Sequence, residues 1–216
     1  MAIRPKQYIE KRVPYPELTP TLSRTAVDLR GWDFPHIDPH TPISNLLDHI
    51  SQESSWSHFH EVWRFYQSGQ FVDLSGQWED WRDETQFFNT PQQPPTGWQA
   101  GTQIGIGEAL YRFTEIFEFA SRLCLTAAGD DVMNIKVVLR GLKGRQLVND
   151  DPRRSPLRVR QTAMEEFPFE RDYERALLTA KARELALEPA AEFFERFDWT
   201  PGVEHLRGWQ ERIDRV

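Results

Sequence analysis

The amino-acid sequence predicts an α+β fold, in which an antiparallel sheet packs on a long amphipathic helix and a C-terminal helical section follows. Three observations predict it: an aromatic β-hairpin pattern over 58–81, an apolar stripe of helical spacing over 104–128, and alternating apolar and polar residues after that stripe. The chain has 216 residues, of which 39% are hydrophobic, so it can bury a sizeable core.

The hairpin is predicted to turn at Ser68-Gly69, because glycine adopts positive φ without a steric penalty. This two-residue turn sets Arg64 opposite Asp73 and sorts the side chains between two faces. The apolar face then carries Phe59, Trp63, Phe65, Val72, Leu74 and Trp78. The other face carries Tyr66 and Phe71, which are therefore the predicted partner-binding residues.

Two features of the hairpin disagree with this assignment. Glu61 falls on the apolar face, where a carboxylate is a misfit. The aromatic spacing over 59–66 also fits a helical stripe, which leaves a helix as the alternative for the first arm.

The clearest helix is predicted over 104–128, where apolar residues recur in alternating steps of four and three. Its stripe consists of Ile106, Leu110, Phe113, Phe117, Ala120 and Cys124. Such a stripe has to be buried, and the aromatic face of the hairpin is its predicted partner. Further strands are predicted over 134–140, 145–148 and 157–161, and helices follow from Phe169.

Three sections divide the chain. Residues 1–20 are rich in proline and are predicted to form an extended N-terminal arm that lies on the body or on a partner. Residues 21–167 are predicted to form the α+β core domain. Residues 168–216 are predicted to form a C-terminal helical section packed on that core.

Net charge and cysteine content limit the classes of protein to which the chain can belong. The formal net charge is −7, which argues against non-specific binding of nucleic acid over the whole surface. No apolar run is long enough to span a bilayer, and the N-terminus lacks the apolar stretch of a signal peptide. The single cysteine excludes an intramolecular disulfide. These features predict a cytoplasmic protein without a membrane partner.

A basic segment lies between Lys136 and Arg160, where only Asp150 and Asp151 oppose the positive charges. Its cations are the predicted anion- or nucleic-acid-binding residues: Lys136, Arg140, Lys143, Arg145, Arg153, Arg154, Arg158 and Arg160. The alternative interpretation is a solvated sheet face whose cations pair with acidic residues over 165–170.

Two histidine pairs have a spacing that would suit a metal site. His36 and His40 flank Asp38 at two-residue spacing, and His58 and His60 form a second pair. In an extended segment such residues share a face and can chelate a metal. Because no further ligand cluster follows, we predict no metal and no cofactor, and the histidines are interpreted as ordinary hydrogen-bonding residues.

No catalytic residue is assigned from the sequence. Gly101, Gly105 and Gly107 precede the long helix and could hold an anion, but their spacing fits neither common nucleotide-binding fingerprint. Cys124 lies on the apolar stripe, which indicates a packing residue rather than a nucleophile.

Four segments carry a family resemblance: RGWDFPHI at 30–37, WRFYQSGQFV at 63–72, TEIFEFASRL at 114–123 and LRGLKGRQL at 139–147. Over residues 20–160 the chain resembles uncharacterised bacterial proteins that occur beside Schlafen-like, AlbA-type domains assigned to DNA binding. The resemblance implies a bacterial regulatory or defence setting. The DNA-binding domain itself has no counterpart in this chain, so the resemblance assigns no site residues.

These observations predict a non-enzymatic interaction or regulatory module whose partner is another protein or a second copy of the chain. One alternative is a protein that binds nucleic acid or nucleotides through the basic segment. Another is a metal-dependent hydrolase that uses His36, Asp38 and His40, with His58 or His60.

Overall fold

A seven-stranded antiparallel sheet forms the frame of the molecule, which is described here from a computed structural model. The structure describes residues 1–29, 31–56, 59–81, 99–149 and 158–211. The strands are β1 (Ala2–Pro5), β2 (Val27–Asp28), β3 (Asp33–Phe34), β4 (Ser44–Asn45), β5 (His49–Trp56), β6 (Phe59–Tyr66), β7 (Phe71–Ser75), β8 (Gln103–Gly105), β9 (Val132–Arg140), β10 (Gln146–Val148), β11 (Arg160–Gln161) and β12 (Glu166–Glu174). The large sheet has the order β12-β9-β1-β7-β6-β5-β4.

Helices cover one face of this sheet. They are α1 (Leu18–Thr25), α2 (Trp78–Trp81), α3 (Ile106–Leu123), α4 (Arg175–Glu195) and α5 (Val203–Gln210), with a 3-10 turn at Tyr15–Glu17. The apolar side of α3 is buried, and α4 and α5 pack against α3. The predicted α+β fold, with a sheet on a long amphipathic helix and a C-terminal helical section, is therefore confirmed.

Aromatic side chains fill the space between the sheet and the helices. Phe113 of α3 contacts Phe167 of β12, with 6.4 Å between ring centroids, and Phe193 of α4 lies 5.4 Å from the same Phe167 ring. Edge-on ring contacts of this kind add to the burial of apolar area. No helix within the described residues is long and apolar enough to cross a bilayer.

The N-terminal segment differs from the predicted arm. Residues 2–5 form the interior strand β1, and Ile3 pairs with Phe71 on one side and Ile135 on the other. Ile3 and Pro5 point into the core while Arg4 points out, which is the alternation of a strand. Four residues are too few for that alternation to stand out beside the prolines that follow.

The hairpin formed by β6 and β7 has a register one residue away from the predicted one. Tyr66 N–H donates to the Gln70 carbonyl oxygen at 2.9 Å, so three residues form the loop instead of two. Phe65 consequently pairs with Phe71, and Arg64 faces Val72 rather than Asp73. A one-residue slip exchanges the two faces of a strand. The predicted outer position of Phe71 is therefore wrong, because its side chain is fully buried.

Gly69 is the residue that makes the three-residue loop possible. Its φ is +85°, which is typical of a hairpin whose loop ends in a left-handed residue. A Cβ atom on Gly69 would lie 2.4 Å from the Ala128 carbonyl oxygen, so the turn also packs tightly against the end of the α3 segment. The first arm is a strand, which excludes the helical alternative, and β7 ends at Ser75, before Trp78.

The C-terminal section begins in the sheet and not in a helix. Strand β12 crosses the predicted boundary between residues 167 and 168 and pairs with β9 along its whole length. Phe167, Phe169 and Tyr173 point inward from it, whereas the intervening positions are exposed. The helical pattern predicted from Phe169 therefore starts later, at Arg175.

Candidate interaction surface

The outer face of the large sheet, opposite α3, is exposed in the described part of the chain. Alternation along each strand sends every second side chain to this face. The cross-strand register arranges these side chains in three bands: acidic on β12, basic on β9 and β1, and apolar on β7 and β6. The basic band therefore lies between the acidic band on β12 and the apolar band on β7 and β6.

The acidic and basic bands neutralise each other. Glu170 accepts from both Lys136, at 2.9 Å, and Arg4, at 3.3 Å. Lys6, just after β1, contacts Asp172 at 2.6 Å. Hydrogen bonding by Lys136 is the main cause that lowers the pKa of the Glu170 carboxyl, and Lys6 does the same for Asp172. These cations already have partners, which reduces what they can offer to a polyanion.

The apolar band forms what is called here the Leu74 patch, defined by Val62, Arg64, Val72 and Leu74. Val62 faces Leu74 across the hairpin, and Arg64 faces Val72, so the four side chains form a compact square. Leu74 is 73% exposed although it lies in β7, the middle strand of the large sheet. Arg64 is exposed and has no ion-pair partner among the residues that the structure describes.

A cleft of about 240 Å³ lies at the end of β1, beside the β6–β7 turn. Its lining consists of Arg4, Pro5, Lys6, Tyr8, Ser68 and Gln70. Two cations and two uncharged polar side chains thus line one concavity, and the Tyr8 ring next to it is 76% exposed. Such a combination can hold a phosphate and stack a base.

The six cations of the basic segment that the structure describes do not form one patch. Lys136 and Arg140 lie on the outer face, where Arg140 contacts Glu166 at 3.6 Å. Arg145 is buried and binds Asp80 at 2.6 Å. Lys143, Arg158 and Arg160 lie on or beside a second, three-stranded sheet of order β11-β10-β8, and Arg153 and Arg154 lie outside the described residues.

The two predicted partner-binding aromatic residues have different positions. Tyr66 lies on the outer face of β6, half-buried, with its ring 4.6 Å from the ring of His49. Phe71 is in the core, as its register requires. The exposed apolar residue that the predicted register had placed inside is Leu74.

The residues considered for a metal site make ordinary contacts. His36 Nδ1 lies 2.6 Å from Asp33 Oδ1, and Asp38 accepts from the Thr41 hydroxyl at 2.6 Å. His60 Nδ1 lies 3.0 Å from a serine hydroxyl, and His58 lies outside the described residues. Within the described ranges, no group of three or more acidic, histidine or cysteine side chains could hold a metal ion.

The glycine-rich start of α3 is occupied by the chain itself. Gly105 is its N-terminal cap, and the Gly105 N–H donates to the Glu79 carboxylate. An anion in this position satisfies the free backbone donors of a helix start. Cys124, at the other end of α3, is buried, and burial raises the pKa of its thiol, as expected for a packing residue.

A buried pair of carboxyl groups lies beneath the Leu74 patch, on the inner face of the same two strands. Glu61 is 1% exposed and Asp73 is 4% exposed, and both side chains point to the inner face of the hairpin, where Asp73 Oδ2 has no hydrogen-bond partner in the described structure. Burial, followed by the nearby Asp73, raises the pKa of Glu61 well above its usual range. The sequence carried one signal for this pair, because Glu61 was a misfit on the apolar face. Asp73 gave none, because the predicted register placed it outside.

Comparisons with protein families, curated proteins and solved structures gave no significant match for this chain. The function is therefore argued from the residues themselves.

Proposed function

We propose that this protein is a non-enzymatic interaction module that docks a partner protein through the Leu74 patch. The observation that carries the proposal is the 73% exposure of Leu74 in the middle of an ordered sheet, next to an arginine without an ion-pair partner in the described chain. Burying a leucine side chain contributes about 1.5–3 kcal/mol. This stabilisation is absent in the free protein, where Leu74 is exposed, and is gained when a partner buries Leu74.

The chemistry of the patch indicates what the partner offers. An apolar centre with a polar border is the composition of a protein–protein interface, and arginine is enriched there. Val62 and Leu74 fit an apolar side chain of the partner, and Arg64 fits a carboxylate beside it. The neutralised bands on β9, β1 and β12 supply an exposed polar border on one side.

Site-specific photo-crosslinking in the native host tests this proposal. A photoreactive amino acid replaces Leu74 in one variant and Leu125 in the control, since Leu125 is 68% exposed at the far end of α3. We expect a discrete protein adduct at position 74, weakened at least about tenfold by Arg64→Glu, because a charge pair at an interface contributes 1.4 kcal/mol or more. The same adducts at both positions, or no loss in Arg64→Glu, would contradict the proposal.

A second candidate function is binding of single-stranded nucleic acid or nucleotides, and the cleft beside Tyr8 favours it. The cleft places Arg4 and Lys6 beside an exposed ring that can stack a base, and a phosphate there competes with the β12 carboxylates that both cations contact. Binding of a fluorescent oligonucleotide across a range of salt concentrations tests it. We expect Lys6→Gln to weaken binding at low salt and Lys143→Gln, in the turn before β10, to leave it unchanged. Absence of binding at low salt would remove this candidate.

The basic segment has its own discriminating variant in the same assay. Arg158→Ala with Arg160→Ala removes two cations that lie away from the cleft. If this double variant weakens binding while Lys6→Gln does not, the segment binds the nucleic acid and the cleft does not.

A further inference from the structure

The buried carboxyl pair and the Leu74 patch occupy opposite faces of the same two strands. Glu61 directly precedes Val62 on β6, and Asp73 directly precedes Leu74 on β7. Successive residues of a strand point to opposite faces, so any movement that separates the two carboxyl groups also moves the patch. The two features therefore share the backbone of β6 and β7.

The cross-strand register makes Glu61 and Asp73 diagonal neighbours. Glu61 faces Ser75, and Trp63 faces Asp73, on the inner face of the hairpin. Two carboxyl groups buried as diagonal neighbours can hydrogen-bond only if one of them keeps a proton, because two carboxylates offer only acceptors. Burial and the proximity of Asp73, which raise the pKa of Glu61, favour one shared proton on the pair.

The surrounding charged groups do not remove this requirement. From α3, the Arg112 guanidinium approaches the pair, but it also lies 3.8 Å from the buried Glu115. The His36 backbone N–H donates to Glu61 Oε1 at 3.3 Å, while the His36 ring is engaged by Asp33. The Met1 ammonium, beside β7, donates to the Asp73 backbone oxygen at 2.5 Å. The remaining contact of Asp73 is a 3.2 Å bond from the Ser75 hydroxyl.

Glu61 has a second partner available on its other side. Ser54 of β5 faces Glu61, and its buried hydroxyl oxygen has no hydrogen-bond partner in the described structure. Asp73 Oδ2 is likewise buried without a partner. A protonated Glu61 donates to Asp73, whereas an ionised Glu61 can accept only from a donor such as Ser54. The register thus provides two arrangements that differ by one proton.

We infer that the Glu61–Asp73 pair is a one-proton switch that controls the pairing of β6 with β7. With its proton, the pair joins the two strands from beneath. When the proton is released to solvent, two buried carboxylates repel each other, Glu61 turns towards Ser54, and the strand pair loosens. Control of the Leu74 patch by this switch rests on the proposed docking function, whereas the switch itself does not.

The direction of the pH effect follows from the raised pKa of Glu61. The folded state keeps a proton that the unfolded chain has already released, so stability falls as pH rises from about 4.3, the ordinary value for glutamate, to the raised value. Within this window, one proton is linked to opening, and the opening equilibrium shifts tenfold per pH unit.

Hydrogen exchange of the intact protein tests the switch. Backbone amides of β6 and β7 are followed at several pH values, after correction for the intrinsic pH dependence of exchange. We expect their protection to fall by up to about tenfold per pH unit in the wild type and in Glu53→Gln, an exposed control on β5. Glu61→Gln keeps the shape and offers an amide donor to Asp73 without the titration of Glu61, so its protection should be flat.

Two results would overturn the inference: wild-type protection that is flat with pH, or pH dependence that survives Glu61→Gln. If Glu61→Gln fails to fold, infrared spectroscopy of the wild type decides, since the switch requires the band of a protonated carboxyl group at a pH above the ordinary glutamate pKa of about 4.3. A switch that passes these tests while position 74 gives no specific adduct would leave the switch standing and remove the docking proposal alone.

Discussion

The two halves of the outer sheet face treat their charges differently. On β9 and β1 each outward cation contacts a carboxylate of β12, whereas on β6 Arg64 has no ion-pair partner in the described chain and stands beside exposed Leu74. The outward cations of β9 and β1 are therefore paired within the molecule, whereas Arg64 on β6 is not paired within the described chain. An abundance of charge is therefore a poor guide to a binding surface, because charges that are paired internally have little left to offer.

The largest expected effect separates the two faces of β7. Phe71→Ala should reduce the free energy of unfolding by about 3–5 kcal/mol, because it empties a buried ring position. Leu74→Ala, on the exposed face of the same strand, should change it by less than about 1 kcal/mol. Urea unfolding of both variants checks this. A larger loss in Leu74→Ala than in Phe71→Ala would contradict the observed register and favour the two-residue turn, which places Leu74 inside and Phe71 outside.

The next effect concerns the turn that sets the register. Gly69→Ala should destabilise by about 1–2 kcal/mol from the left-handed backbone alone, and more because the new Cβ meets the Ala128 carbonyl oxygen. Gly31→Ala is the matched control, since Gly31 also has positive φ but has open space around it. Thermal unfolding compares the two. Equal losses would mean that the turn does not pack against Ala128.

A smaller effect should appear when an ion pair is removed from the β12, β9 and β1 half of the outer face, which leaves its cations without that partner, as Arg64 is in the described chain. Glu170→Gln removes the carboxylate shared by Lys136 and Arg4, and it should raise the affinity of the outer face for a polyanion several-fold. Glu174→Gln removes an equal charge from the same strand without breaking an ion pair. Heparin affinity at low salt measures both. Equal effects would show that net charge matters and pairing does not.

The smallest effect lies on the acid side. The pKa of Asp172 is lowered, mainly by the Lys6 hydrogen bond, so this contact stabilises above the ordinary carboxyl pKa of about 3.9 and is lost as pH falls through the folded value. Lys6→Gln should flatten the decline of the thermal midpoint below about pH 4. An unchanged decline would mean that this pair contributes nothing to stability.

The parts of the fold that could be predicted are those whose pattern is long and local. The apolar stripe of α3 and the alternation of Ile135 and Val137 on β9 repeat over several turns or residues, and both elements formed where expected. Strand β1 is four residues long, so its alternation had no such repetition. The register depended on a single loop residue around Gly69, where two-residue and three-residue turns are both compatible with the sequence.

The candidate site depended on contacts between distant segments, which a single sequence does not display. Arg4 and Lys136 share Glu170 only because β1 lies between β7 and β9. Leu74 is exposed, and Asp73 is buried, only through the one-residue difference at the turn. Of the buried pair, only Glu61 is signalled by the sequence, as a charged residue on the predicted apolar face of the hairpin.

The interior position of β1, between β9 and β7, also has a consequence for synthesis on the ribosome. Ala2 pairs with Val72 on one side and Lys136 on the other, so the first strand made has to wait for partners made much later. Until β9 emerges, the edge of β1 that β9 will cover is an unpaired backbone edge that other chains can join. We therefore expect the growing polypeptide, more than the finished protein, to depend on chaperones.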